Sequence, residues 1–261
     1  MKASHASFRI IVAFSRCFFK SKPRTENTTS KATQDDSQAN GLSTSTKSII
    51  EEIIMELIAK HNEEHPADFK KYDSIEYKHV FNESREQGKT VLDGLRLPVG
   101  ADVTNTNLNE LQLILLNAQG ADFRGSTIRN TDMFGADMSE TNLNDLDLST
   151  TKLFHACFSG ASLENVNFSE NKSLKFTRFS EANLQKANFN NTKLHCANFK
   201  KANLEGATLK GADLTGANLK GTDFTNADLR NVDMTEDELL ASGAILTGAK
   251  VGNNSTWKEL L

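Results

Sequence analysis

The sequence predicts a mainly β chain wound into a solenoid over its C-terminal half, preceded by a polar and helical region. Three observations carry this. Apolar residues recur every five positions from Val103 to Phe168, and again from Leu174 to Met234. The residue two before the apolar mark is usually small, Ala in 13 of 27 repeats and Thr in 7 more, which suits a narrow interior. The residue directly before the mark is Asn or Asp in 18 of the 27, and Gly is frequent two after it, so each repeat also carries turn chemistry.

A five-residue period fits neither regular element. A helix would place i and i+5 about 140° apart, and a flat strand would put them on opposite faces. The spacing works if the chain turns a corner once per repeat and returns every mark to a common axis. The stretch GADLTGANLKGTDFTNADL, residues 211–229, shows this with Leu214, Leu219, Phe224 and Leu229 on four successive marks.

Ala-Asp-Leu-Thr-Gly (212–216), Ala-Asn-Leu-Lys-Gly (217–221) and Ala-Asn-Leu-Glu-Gly (202–206) closely resemble the pentapeptide-repeat family. The resemblance extends over about 101–234. It implies a right-handed four-sided parallel β-helix with four repeats per coil and with i and i−2 pointing inward. Residues twenty apart then become vertical neighbours about 4.8 Å apart. Phe179 and Phe199 are expected to stack inside one side.

Some positions depart from the pattern. Leu111, Leu116 and Leu146 occupy i−2, and Ala118 occupies i, which predicts a locally distorted N-terminal coil. In FSENKSLKF, residues 168–176, Phe168 and Leu174 are six apart rather than five. The extra residue should bulge and leave Lys172 outside.

Open coil ends expose unpaired strand edges, so caps are expected. Residues 235–261 read as a C-terminal cap. Thr235 to Glu238 forms a capping box that starts a short helix, two residual repeats follow at Leu246 and Val251, and Trp257 and Leu260 cover the last coil. The β-helix is assigned to 91–234 and a helical region or N-terminal cap to 48–90. There Ser48-x-x-Glu51 opens a helix with Ile49, Ile50, Ile53, Ile54, Leu57 and Ile58 on one stripe, ending before Pro66. A second helix is expected over 67–87, with Phe69, Tyr72 and Val80 apolar and Gly88 as its stop.

Residues 1–47 form a basic apolar N-terminus and a linker whose composition predicts disorder. Within it, Phe8, Arg9, Phe14, Arg16, Phe18, Phe19 and Lys20 make a candidate membrane-contacting or targeting segment. No apolar run reaches the length of a transmembrane helix.

Catalytic chemistry has no motif here. Cys17, Cys157 and Cys196 lack metal-ligand spacing and suit a reducing compartment, and His61-Asn-Glu-Glu-His65 lacks the zinc-protease order. The many Asp residues are explained by their periodic i−1 placement. The reading is therefore a non-enzyme with no cofactor and no metal.

Charge is mild overall, net −4, but segregated. Ten acids stand against three bases over 102–170, whereas eight bases stand against two acids over 172–210. Lys186, Lys193, Lys200, Lys201, Lys210, Lys220 and Arg230 form the candidate interaction surface, with Lys200 over Lys220 and Lys210 over Arg230 expected in vertical like-charge pairs.

A protein-interaction scaffold follows as the expected function. The layout also resembles pentapeptide-repeat effectors of bacterial pathogens, which implies a bacterial cytoplasmic protein exported into host cells to act on host proteins or membranes. The alternative is a DNA-mimicking regulator that binds gyrase or topoisomerase. A protein partner is expected, with peripheral membrane contact through the N-terminus, no direct nucleic-acid binding, and room for a homodimer.

Overall fold

The computed structural model describes Phe81, Gly88, residues 91–252 and residues 258–260. Over this span the chain is a right-handed four-sided parallel β-helix. The first side runs up through Val103, Phe123, Leu143, Leu163, Leu184, Leu204 and Phe224, and the second through Leu108, Ile128, Leu148, Phe168, Phe189, Leu209 and Leu229. The third has Leu113, Met133, Leu153, Leu174, Leu194 and Leu214, and the fourth Ala118, Met138, Phe158, Phe179, Phe199 and Leu219. All of these marks are buried.

Each side is held by the residue just before its mark. Asp102, Asp122, Asn142 and Ser162 form one continuous parallel ladder, twenty residues per step. Val103 N–H donates to the Asp122 carbonyl at 2.8 Å, and Asp122 N–H returns to the Ala101 carbonyl at 2.8 Å. Backbone polarity is thus satisfied between coils, which is what allows a core this narrow to be apolar. The expected phenylalanine stack is present: Phe179 and Phe199 lie 5.0 Å apart with planes 10° apart.

Corners explain the turn residues. From Asn105 to Asn231 the second residue after a mark takes a left-handed φ, and 17 of these residues are not glycine. The exception is Thr150, whose β-branch disfavours that conformation. Its hydroxyl instead accepts the Asn130 N–H at 3.0 Å. The Asn or Asp before a mark accepts the backbone N–H two residues on, as Asn198 does from Lys200 at 3.0 Å and Asn218 from Lys220 at 3.1 Å. The periodic carboxylates are therefore turn-makers.

Inward threonines are satisfied as well. Thr131, Thr151 and Thr222 donate to the carbonyls of Leu108, Ile128 and Phe199, each 23 residues back, at 2.6–2.8 Å. At the register break Asn171 occupies such an inward seat and is buried. Its amide donates to the Leu148 and Thr151 carbonyls at 2.8 and 2.9 Å, and its Oδ1 accepts both Ser173 N–H and the Ser173 hydroxyl at 2.8 Å. Lys172 bulges outward, and its ammonium reaches Glu170 at 3.2 Å. Ser173 Oγ then replaces a ladder carbonyl by accepting Leu153 N–H at 3.0 Å.

The expected distortion near Leu111 and Ala118 is not seen. Leu113 N–H to Asp132 and Ala118 N–H to Asp137 keep normal ladder lengths of 2.7 and 2.8 Å. Large Leu116 and small Ala118 are neighbours, both fully buried, so the excess volume at i−2 fills the deficit at i.

Two further repeats lie below, marked by Leu92 and Leu97. Val91 and Arg96 pair with Gln112 and Asn117, a step of 21 rather than twenty. A second one-residue insertion therefore sits between Leu97 and Val103, in the segment that includes Pro98 and exposed Val99. Phe81, from the second expected helix, is helical and fully buried in the same apolar cluster as the coils.

At the far end, helix α1 (Glu236–Ala241) begins at the expected capping box. Thr235 N–H donates to Glu238 Oε2 at 2.7 Å, and Glu238 N–H to Thr235 Oγ1 at 3.2 Å. Leu246 and Val251 then re-enter the core. Strand β1 (Lys250–Val251) pairs antiparallel with β2 (Lys258–Glu259) across the last coil. The expected helix from Ser48 to Pro66, most of the one over 67–87, the Phe8 to Lys20 segment and Trp257 lie outside the described residues. Among the described residues no helix is long and apolar enough to cross a membrane.

Candidate interaction surface

The seven basic residues of the expected surface do not form one patch. Lys200, Lys201 and Lys220 gather at the corner after the fourth side, because each follows Phe199 or Leu219 by one or two residues. Lys210 and Arg230 share the corner after the second side, Lys186 stands after the first, and Lys193 lies on the third side itself. They form a belt around the coils.

Much of the belt is neutralised between coils. Lys186 meets Glu164 at 3.4 Å, Lys193 meets Asp213 at 3.5 Å, and Lys201 meets Glu181 at 4.0 Å. Arg230 forks onto Asp228 with bonds of 2.8 and 2.6 Å, which draws it away from Lys210 and holds the Asp228 carboxyl below its usual range. Lys200 and Lys220 keep the expected vertical arrangement, and neither makes an ion pair among the described residues.

Acids of the lower coils are similarly engaged. Asp122 is bound by Arg124 at 2.7 Å, and that hydrogen bond lowers its pKa. Burial pushes Asp147 up, but the Ser149 hydroxyl and N–H, together with Arg129, hold it lower than usual. Asp132 pairs with Lys152 at 3.0 Å. Among the described residues, no three His, Cys, Asp or Glu side chains converge as a metal-binding group.

Another surface was not singled out by the sequence reading. Outside the corner after the third side, rings stand one above another. Phe134 and Phe154 are stacked at 5.7 Å with planes 6° apart, and Phe176 continues the column at 5.7 Å, edge-on at 66°. His195 follows at 6.3 Å. All four are half-buried, so each ring leaves part of itself to solvent.

This column arises from the five-residue geometry. Phe134, Phe154 and His195 are first after their marks, and Phe176 is second, in the left-handed seat two after Leu174, with Lys175 before it. Beside them His155, left-handed at φ 64°, is only 4 % exposed and packs against Phe154 and Phe176. Burial, and next the nearby Arg178 charge, push His155 down to about 4. It is a neutral, apolar-packed ring at neutral pH. The available sequence signal was Phe134 and Phe154 twenty residues apart at the same turn position.

The family comparison agrees with the five-residue repeat. The family model for pentapeptide repeats matches eight copies, over residues 131–169, 173–211 and 197–236. No curated protein sequence matches the chain. Among solved structures, the chain is similar to QnrB1, a plasmid-mediated fluoroquinolone resistance protein, at 19 % identity. That match covers 62 % of this chain and 82 % of that one, with a TM-score of 0.42. It is also similar to HetL from the cyanobacterium Nostoc sp. strain PCC 7120, involved in heterocyst differentiation regulation, at 26 % identity, 62 % and 80 % coverage and TM-score 0.29. A third is a pentapeptide repeat protein of the Arabidopsis thaliana thylakoid lumen, at 27 % identity, 41 % and 71 % coverage and TM-score 0.31. Four repeats to a coil, an apolar mark at every fifth residue and eight matched copies identify the coils over residues 131–236 as pentapeptide repeats.

Proposed function

We propose that the protein is a non-catalytic scaffold that holds a protein partner against the outside of its coils. The observation that supports this best is the half-exposed column Phe134, Phe154, Phe176 and His195. The core already has its own rings, so apolar side chains at turn positions add surface for association rather than volume to the interior. The family is one of structural and binding proteins rather than enzymes, and the column gives this chain a definite face.

Capture experiments with the full chain and with a Phe134→Ser, Phe154→Ser variant test the reading. Partners held by the wild type and lost by the variant are expected. An identical set of captured proteins would remove the column as the binding face.

Two finer readings belong to the same proposal. As a secreted effector acting on host proteins or membranes, the protein would depend on the basic apolar N-terminus, from Phe8 to Lys20. A reporter fused to residues 1–47 that no secretion system translocates would end that reading. DNA mimicry toward topoisomerase fits less well. Of the ten acids over 102–170, five are matched by bases: Asp122, Asp132, Asp147, Glu164 and Glu170. Unchanged gyrase supercoiling in the presence of purified protein would dispose of it.

A further inference from the structure

We propose that the corner after the third side docks an acidic amphipathic α-helix of a partner protein, laid parallel to the coil axis. The inference rests on the scaffold reading and names the chemistry of the partner. One ring stands at each coil, the coils rising by the ladder spacing of about 4.8 Å, and successive ring centroids lie 5.7, 5.7 and 6.3 Å apart. An α-helix rises about 5.4 Å per turn, so a helix along the column meets one ring per turn. Its apolar residues at i, i+4, i+7 and i+11 would each rest against one coil, the helix-in-groove mode of recognition. A β-strand, rising about 3.3 Å per residue, presents side chains on one face every ~6.6 Å and drifts out of step with the first two rings.

Charge selects an acidic helix and gives it a direction. Lys175 stands within the corner beside the upper rings, while Lys152 and Lys193 on the adjoining ladder already meet Asp132 and Asp213 at 3.0 and 3.5 Å. Lys175 is exposed. A helix with its acids and its C-terminal carbonyls toward Lys175 matches that exposed charge through its macrodipole.

The test uses a synthetic helix of about 16 residues, with Leu along one face and Glu elsewhere, and a control with Lys in place of each Glu. Both are titrated with the full-length protein by fluorescence anisotropy. The acidic peptide is expected to bind about tenfold or more tightly than the basic one, and Phe154→Ser with Phe176→Ser to remove most of that affinity. Lys175→Glu, which leaves packing untouched, is expected to weaken binding several-fold at low salt and little at high salt. It decides the matter even where the ring variants are unstable. Equal binding of both peptides, or no response to Lys175→Glu, would overturn the proposal. So would a dimer that the ring variants convert to monomer, which would assign the corner to a second copy. If ring-dependent partner capture persists while the acidic peptide fails, the scaffold reading stands and only the acidic-helix chemistry falls.

Discussion

Two ladders of phenylalanine climb this molecule, one inside and one outside, and only the inner one keeps its rings parallel from coil to coil. Inside the fourth side, Phe158, Phe179 and Phe199 stack at 5.4 and 5.0 Å with planes 7° and 10° apart. The first of those steps spans the break before Leu174, yet the rings keep their stack. Outside, Phe134 and Phe154 are nearly coplanar in orientation, but across the same break Phe176 turns to 66°. Core rings recur at the same seat in every coil, whereas the outer rings occupy the first or the second turn position, so their planes differ even though the turn backbone is bonded from coil to coil.

The first way to break this contrast is by truncation. Phe179→Ala opens a cavity in a core one side chain thick and should cost about 3–5 kcal/mol. Phe154→Ala removes a half-buried ring and should cost about 1 kcal/mol. Urea denaturation compares them, and equal losses would erase the distinction between the ladders.

Acid should act chiefly on the outer region. His155 is pushed down from 6.5 to about 4, so the folded chain disfavours its protonation. The neutral-His contribution is complete above pH 6.5 and is lost as pH falls toward about 4. Over that window it amounts to about 3 kcal/mol. Carboxylates held below their usual range, such as Asp122 and Asp228, lose their contribution at lower pH still. A His155→Phe variant should therefore show a flatter stability profile between these limits. A profile parallel to wild type would refute the assignment.

Next comes the break itself. Asn171→Ala removes the amide bonds to the Leu148 and Thr151 carbonyls and the acceptor of Ser173, and should cost about 1–3 kcal/mol. Deleting Lys172 instead restores the five-residue period with Asn171 still two seats before the mark, and should be close to neutral by thermal unfolding. The smallest expected effect is at the belt. Lys220→Glu converts the Lys200 pairing from repulsive to attractive, a gain of about 0.5 kcal/mol that 1 M salt should remove.

The sequence made the interior legible because each interior rule recurs many times. The apolar marks, the small i−2 residues and the Asn or Asp turns each gave one conclusion repeatedly, and even outward Lys172 followed from counting to six. The capping box at Thr235 was readable for a local reason, since both partners lie within four residues. Compensation between Leu116 and Ala118 was not readable as undistorted, because volume is shared between adjacent sides. The outer ring column escaped notice because it obeys a twenty-residue period and changes turn position at Phe176. Nor could the belt's neutralisation be read from charge counts. It depends on which acid lies one coil above or below, as Glu164 lies below Lys186.

Asn171 has a further consequence for how such a chain finds its register. A solenoid of near-identical repeats is vulnerable to slippage, because a coil displaced by one repeat still buries Leu or Phe at every mark. Asn171 breaks that degeneracy. Its carbonyl oxygen holds Ser173 locally, and its amide makes two inter-coil hydrogen bonds, to Leu148 and Thr151, that depend on the alignment. In a slipped alignment the same polar group faces a seat suited to Ala or Thr, with its partners displaced, at a cost of about 1–3 kcal/mol. A single buried amide thus acts as an index mark on an otherwise uniform spiral, much as a lone core asparagine sets alignment in a coiled coil.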